Sequence, residues 1–173
     1  GNLDITLVRT KLTSTYLTER GFLATDTDTQ EKDFTNNKND NVFALDGALI
    51  VPHSKYVAEM EIRNNSDSAK SNVAFAYWIE IVYTGAANVD LASQISVTVD
   101  AGEAKRLNEG LTVGSATDPV GVLAVGETGE FTVTVEFLNL DNAVNNEAQG
   151  ENVTFDLVVH AVQYTGADPN PNP

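Results

Sequence analysis

The chain contains no cysteine, one methionine and one tryptophan among its 173 residues. The absence of cysteine excludes disulfide bonds, thiolate nucleophiles and zinc sites built on cysteine. It does not exclude secretion, because a chain of this length with 42% hydrophobic residues can bury a core that needs no cross-links. We therefore expect one folded domain that is held together by packing.

Basic residues are few. Ten Lys and Arg stand against 25 Asp and Glu, which gives a formal net charge of −15. A nucleic-acid-binding protein needs a basic surface that displaces counterions from phosphates, and anionic membranes attract basic proteins for the same reason. We therefore expect no nucleic-acid partner and no attraction to a membrane surface. The charge should also keep single subunits soluble.

Long hydrophobic runs are missing. No stretch approaches the roughly 20 apolar residues that cross a bilayer, so we expect no insertion into a membrane. The chain begins at Gly1 without Met, which indicates processing. The absence of a targeting segment therefore does not identify the compartment.

A helical period of 3.6 residues is also missing, whereas the alternation typical of strands recurs. The clearest strands are residues 56–63, 95–99, 131–137 and 153–164. Residues 73–84 are apolar on both faces, which predicts a central strand covered on both sides. Turns rich in Gly and Asn separate these segments. The pattern predicts an all-β protein, a sandwich of the jelly-roll type.

Three segments lack a strand pattern. Residues 25–41 are rich in Asp, Thr and Asn, which predicts a long loop. Residues 101–119 mix Gly with polar residues, and residues 104–107 within them are the candidate for a short helix. Residues 166–173 alternate Pro with polar residues and should form an extended, exposed tail.

The first 12 residues, GNLDITLVRTKL, form an amphipathic strand. Leu3, Ile5 and Leu7 share one face, and Val8 and Leu12 are candidates to extend the apolar contact. A terminal strand with an apolar face either closes its own sheet or completes the sheet of another subunit. That choice separates a monomeric β domain from a fibre subunit.

Patterns for catalysis and metal binding are missing. Neither His53 nor His160 belongs to an HExxH motif, and no GxSxG elbow, Walker loop or dinucleotide fingerprint occurs. Asp26 and Asp28 begin a D-x-D-x pattern, but Glu31 replaces the glycine that a calcium loop needs at its sixth position. We therefore expect a solvated acidic loop there, and no catalytic residue, metal site or cofactor.

Two further sets of residues have alternative interpretations. Tyr77, Trp78 and Tyr83 could line a sugar-binding groove, although their spacing along a strand favours packing in the core. Asn64 and Asn152 begin N-x-S/T sequons and are candidates for N-glycosylation if the protein is exported.

The end of the chain resembles a known family. NEAQG at residues 146–150 is followed, after ten residues, by AVQ at 161–163. This is similar to the last strand of the TasA/camelysin family of biofilm-matrix proteins, in which an N-x-x-Q-G turn precedes a strand ending in A-x-Q. MEIRNNS at residues 60–66 and QISVT at 94–98 resemble family segments in the same order. The resemblance covers about residues 56–163.

The resemblance implies a secreted subunit, with its signal peptide removed, that assembles into a cell-surface filament by donor-strand complementation. Archaeal bundling pili look like relatives with the same assembly. The expected partners are identical subunits in a helical homopolymer, with lateral contacts between fibres as a further expectation. The implied division is a donor strand at residues 1–12, a jelly-roll domain at 13–165 and the exposed tail at 166–173. The donor residues are Leu3, Ile5, Leu7, Val8 and Leu12.

Two alternatives stay open from the sequence. One is a monomeric extracellular sandwich that binds a carbohydrate or another ligand, with residues 1–12 paired inside its own sheet. The other is a camelysin-type surface metalloprotease. Because the sequence offers no set of zinc ligands, we expect that the protein is not an enzyme.

Overall fold

The structure is a computed structural model that describes residues 3–35, 42–43, 50–65 and 73–164. These residues form eleven strands and two short helices. The strands are β1 Ile5–Leu17, β2 Leu23–Asp28, β3 Lys32–Asp33, β4 Lys55–Asn64, β5 Phe75–Tyr83, β6 Ile95–Val99, β7 Lys105–Arg106, β8 Leu111–Val113, β9 Gly121–Leu123, β10 Thr128–Phe137 and β11 Phe155–Gln163; the helices are α1 Asp90–Gln94 and α2 Asn142–Glu147.

The strands form two antiparallel sheets. The larger has the order β2-β1-β4-β10-β6-β7, with β3 also paired to β1. In the smaller sheet β5 is central. β11 pairs with one edge of β5, and β8 and β9 pair with different parts of the other edge. The prediction of an all-β protein is confirmed.

One hydrophobic core lies between the sheets. In β4 every second side chain is buried, so that Tyr56, Ala58, Met60 and Ile62 point inward as the alternation predicts. In β10 the residues from Phe131 to Phe137 alternate in the same way. Full burial of one such side chain contributes about 1.5–3 kcal/mol, and this set fixes the register of the central strands.

The central strand of the smaller sheet is fully covered on one face and partly covered on the other. Phe75, Tyr77 and Ile79 of β5 point into the core, whereas Trp78 and Glu80 are half-buried on the opposite face. β5 is central in its sheet, as predicted, and Ala76 on its outward face is 1% exposed, but the rest of that face is half-buried, so the prediction of cover on both sides was wrong in part. Among the described residues, Trp78 packs against a neighbouring side chain of its own sheet instead of a further layer.

Two predictions about irregular segments were wrong. The predicted loop at residues 25–41 contains the end of β2 and the whole of β3, because the long strand β1 supplies backbone partners even for polar residues. At residues 104–107, where we predicted a short helix, β7 pairs with β6 and leads into a single 3₁₀ turn at Leu107–Glu109. The predicted tail at 166–173 lies outside the described residues.

The two helices were not predicted. Each is short, and side-chain amides join them. The buried Gln94 at the end of α1 donates to the carbonyl of Val144 at 2.7 Å, and Asn145 donates to the Gln94 side chain at 2.8 Å. These bonds fix the connection that follows β10, where no helical periodicity was visible.

Candidate functional site

The N-terminal strand lies inside the sheet of its own chain. β1 pairs with β4 from Ile5 opposite Asn64 to Thr15 opposite Lys55. Its other edge pairs with β3 and then with β2. The predicted boundary between residues 12 and 13 therefore falls within one continuous strand of the described chain.

A β-bulge divides this strand. The register with β4 shifts between Arg9 and Lys11, so Thr10 is an extra residue on β1, and its hydroxyl donates to the Glu59 carbonyl at 3.3 Å. A bulge of one residue interrupts the alternation of faces. Residues 3–9 on the N-terminal side of the bulge are called the N-terminal arm below.

The bulge explains where the predicted donor residues lie. Leu7 and Leu12 are 6% and 4% exposed, and both belong to the core although their numbers have opposite parity. Leu3 and Ile5 are half-buried and pack against the same core. Val8 is also buried, at 3% exposure, but it follows Leu7 and lies on the other face of the strand. Four of the five predicted residues therefore contact the same hydrophobic core.

The outer edge of the arm is held by the segment that follows β3. The N–H of Phe34 donates to the Leu7 carbonyl at 2.7 Å, and the N–H of Leu7 donates to Thr35 Oγ1 at 3.2 Å. The Asp33 carboxylate accepts bonds from the Thr35 hydroxyl and, at 2.8 Å, from its N–H. These two bonds hold the pKa of Asp33 below its ordinary value. We call this set the Asp33–Thr35 clasp.

Arg9 is a charged residue buried at the base of the arm, with 1% exposure. Its Nη1 donates to the Val42 carbonyl, and its guanidinium carbon lies 5.5 Å from the centre of the Phe34 ring. Nη2 lies 3.5 Å from Asp28 Oδ2, but among the described residues neither Nη2 nor Nε has a hydrogen-bond partner. Burial lowers the pKa of Arg9, and the Asp28 carboxylate opposes that shift.

Sequence reasoning missed Arg9 and Phe34. Arg9 continues the odd-numbered series of Leu3, Ile5 and Leu7, so its position in the apolar register was a usable signal. Phe34 is the one hydrophobic residue in the polar segment 25–41. An isolated aromatic residue in such a segment indicates an anchor, and here its side chain is 5% exposed.

A second group of side chains lies on the outward face of the smaller sheet. His160 stacks on Trp78 with ring centres 5.0 Å apart and an angle of 13° between the planes. Its Nε2 lies 2.9 Å from Glu80 Oε1. Tyr77 is buried in the core as expected, and the Tyr83 hydroxyl donates to the Ala86 carbonyl. Trp78 alone of the three predicted aromatics therefore belongs to an outward-facing cluster.

The two sequons differ in accessibility. The Asn64 side chain is fully buried, and its Nδ2 donates to the carbonyls of Val73 at 2.9 Å and Leu123 at 3.0 Å. This environment leaves no room for a glycan, which corrects our expectation for Asn64. Asn152 is exposed before β11, and its glycosylation stays a prediction.

The other expected features can be placed within the described part of the chain. Asp26 and Asp28 belong to β2 and not to a loop. His53 is exposed in a turn with a φ of +82°. In the described ranges no group of three or more His, Cys, Asp or Glu residues is arranged to hold a metal ion. No helix there is long and apolar enough to cross a membrane.

Comparison of the chain with models of protein families, with curated proteins and with solved structures found no match. The resemblance to the TasA/camelysin family stays a prediction. A functional proposal for this chain therefore depends on the geometry of the N-terminal arm.

Proposed function

We propose that the protein is the structural subunit of an extracellular filament and that it polymerises head to tail by donating its N-terminal arm to the next subunit. The observation that supports this most directly is the division of β1. The arm places Leu7 in the core and ends at the bulge around Thr10. In the filament, the arm of one subunit would lie beside β4 of its neighbour.

Exchange of the arm requires no new contacts. The backbone bonds to β4 and the burial of Leu7 are the same whether the arm belongs to the same chain or to another one. A net backbone hydrogen bond contributes roughly 1 kcal/mol, and burial of Leu7 contributes about 1.5–3 kcal/mol. Because both terms are present in the closed chain as well as in the filament, they largely cancel, and a high protein concentration must offset the entropy lost on association.

Departure of the arm also leaves an acceptor. The edge of β4 from Met60 to Asn64 would lose its backbone partners, and Ile62 would lose its cover. Unpaired strand edges bind extended segments by strand addition, with side chains entering pockets at alternate positions. When each subunit donates its arm to one neighbour and accepts an arm from another, the contact is heterologous and can propagate along a filament, whereas reciprocal exchange between two subunits gives a closed dimer.

A second candidate is a monomeric extracellular sandwich that binds a carbohydrate or another ligand. The pairing of Ile5–Leu17 within its own chain favours it, because this is the arrangement that a monomer requires. The outward cluster of Trp78, Glu80 and His160 would then be the candidate binding surface.

Paired cysteines distinguish the two functions. Thr6 lies directly opposite Arg63 in the arm, and Thr13 lies opposite Val57 beyond the bulge. Residues that face each other in antiparallel strands are close enough for a disulfide after small adjustments, and the native chain has no competing thiols. In concentrated, oxidised protein we expect Thr6→Cys with Arg63→Cys to give a ladder of covalent oligomers on a non-reducing gel.

The pair Thr13→Cys with Val57→Cys is the matched control. Its strands stay within one chain in both functions, so it should give intrachain disulfides alone. If the arm pair also gives intrachain disulfides alone, the proposed exchange is wrong and the monomeric sandwich is favoured. Light scattering on the reduced proteins then gives the size of the assembly, which for a monomer is 18.6 kDa.

A further inference from the structure

We infer that Arg9 sets how readily the N-terminal arm opens: its incompletely bonded guanidinium weakens the pairing of the arm with β4. The role of this opening in assembly rests on the proposed function. The opening itself is a property of the single chain and can be measured without any filament.

The chemistry of the buried guanidinium supports this inference. Arginine has five N–H donors and no acceptor. Among the described residues, the buried side-chain nitrogen and oxygen atoms that lack a hydrogen-bond partner are Nε and Nη2 of Arg9. In the open arm water would bond to these donors, so the closed arm carries a cost that the open arm does not.

The position of Arg9 directs this cost to the arm. Arg9 is the last residue before the bulge and lies opposite Met60 in the core. Leu7 and Val8 favour the closed arm by burial, whereas Arg9 opposes it. Arg63 provides a contrast, because its guanidinium pairs with Glu61 and Glu31 and its side chain is 31% exposed.

Asp28 restrains the opening. Its carboxylate lies 3.5 Å from Arg9 Nη2, yet it belongs to β2, where it pairs opposite Leu12 beyond the bulge. Opening of the arm would therefore separate Arg9 from Asp28. The Asp28 carboxylate is 46% exposed, so it stays hydrated when Arg9 is replaced by an apolar side chain, whereas removal of Asp28 leaves the buried guanidinium without its counter-charge.

Two substitutions should therefore act in opposite directions. In the full-length chain, Arg9→Met should raise the hydrogen-exchange protection of the arm amides by about tenfold, and Asp28→Asn should lower it by a similar factor. NMR measures each amide separately, so protection in β10 reports the global stability in the same experiment. Lys11→Met is the matched control, because Lys11 is 45% exposed and lies 3.8 Å from Glu59. It should change arm protection by less than about threefold.

These measurements test the inference about Arg9 separately from the filament proposal. If Arg9→Met lowers arm protection, leaves it unchanged or prevents folding, the inference is wrong. If Arg9→Met raises protection and also reduces the covalent ladder from the Thr6 and Arg63 cysteine pair, both the inference and the exchange are supported. If protection rises but no variant ever gives a ladder, Arg9 controls the arm as inferred and the filament proposal fails.

Discussion

Two glycines determine where the Tyr77 ring can lie. A Cβ atom at Gly121 would stand 2.9 Å from Tyr77 Cε1, and a Cβ atom at Gly129 would stand 3.0 Å from Tyr77 Cζ and closer still to its hydroxyl. The ring is 4% exposed, so it has little space to move. Gly129 lies in β10, where the absence of a side chain admits the aromatic ring.

Gly129→Ala should destabilise the fold by about 1–3 kcal/mol, because the added methyl group overlaps the Tyr77 hydroxyl. In a Tyr77→Phe background the cost should be smaller, since the nearest atom is gone. Urea denaturation of the two single variants and the double variant measures the coupling free energy between positions 77 and 129. The exposed neighbour Glu130→Ala is the control and should change stability by less than about 0.5 kcal/mol. Additive effects of the two substitutions would contradict this account.

Alternation predicted part of the arm at the level of single residues. It placed Leu3, Ile5 and Leu7 on one face, and all three contact the core. It could not place Leu12 on the same face, because nothing in the sequence marks the bulge at Thr10. The odd-numbered register also placed Arg9 on the inward face, but the contacts with Phe34 and Val42 that surround its side chain come from distant parts of the chain and leave no local signal.

Among the elements, strands with an apolar face were predicted well and strands without one were missed. β4, β6 and β10 follow the predicted alternation, because each buries one face. In β11 the odd-numbered apolar residues from Phe155 to Ala161 pack against the core but are only partly buried, so its burial does not alternate. β2 was taken for a loop, because its residues are mostly exposed and its place depends on backbone bonds to β1. Hydrogen bonding to a neighbouring strand leaves no periodic signal in a polar sequence.

The Asp33–Thr35 clasp should make the arm sensitive to acid. The pKa of Asp33 is lower in the folded chain than its ordinary value of 3.8, so its contribution is present above pH 3.8 and is lost as the pH falls through the folded pKa. Hydrogen exchange, corrected for its intrinsic pH dependence, should show the arm amides losing protection over that range.

Asp33→Asn should show the reduced protection at every pH. Asp156→Asn, an exposed substitution on β11, is the control. A wild-type acid profile retained in Asp33→Asn would rule out the clasp as its cause.

At the scale of the whole molecule, the alternation of apolar and polar residues predicted the fold class but not the arrangement of chains. The recurrent alternation led to an all-β protein, and the structure has two antiparallel sheets around one core. The jelly-roll description and the exchange of arms stay proposals. A strand that joins two chains and a strand that closes one chain have the same sequence pattern, because both bury the same side chains.

The net charge provides a test at this scale. Each chain carries a formal charge of −15, so filament assembly brings together subunits that repel each other. The Debye length falls from about 30 Å at 0.01 M salt to about 10 Å at 0.1 M, so added salt should reduce this repulsion. We expect filaments to form faster in about 0.3 M NaCl than in about 0.01 M NaCl, as measured by light scattering. The interchain ladder from the arm cysteines should increase with salt, whereas the intrachain disulfide of the control pair should not. A decrease of both scattering and ladder with salt would mean that opposite charges hold the subunits together, which contradicts an apolar arm as the main contact.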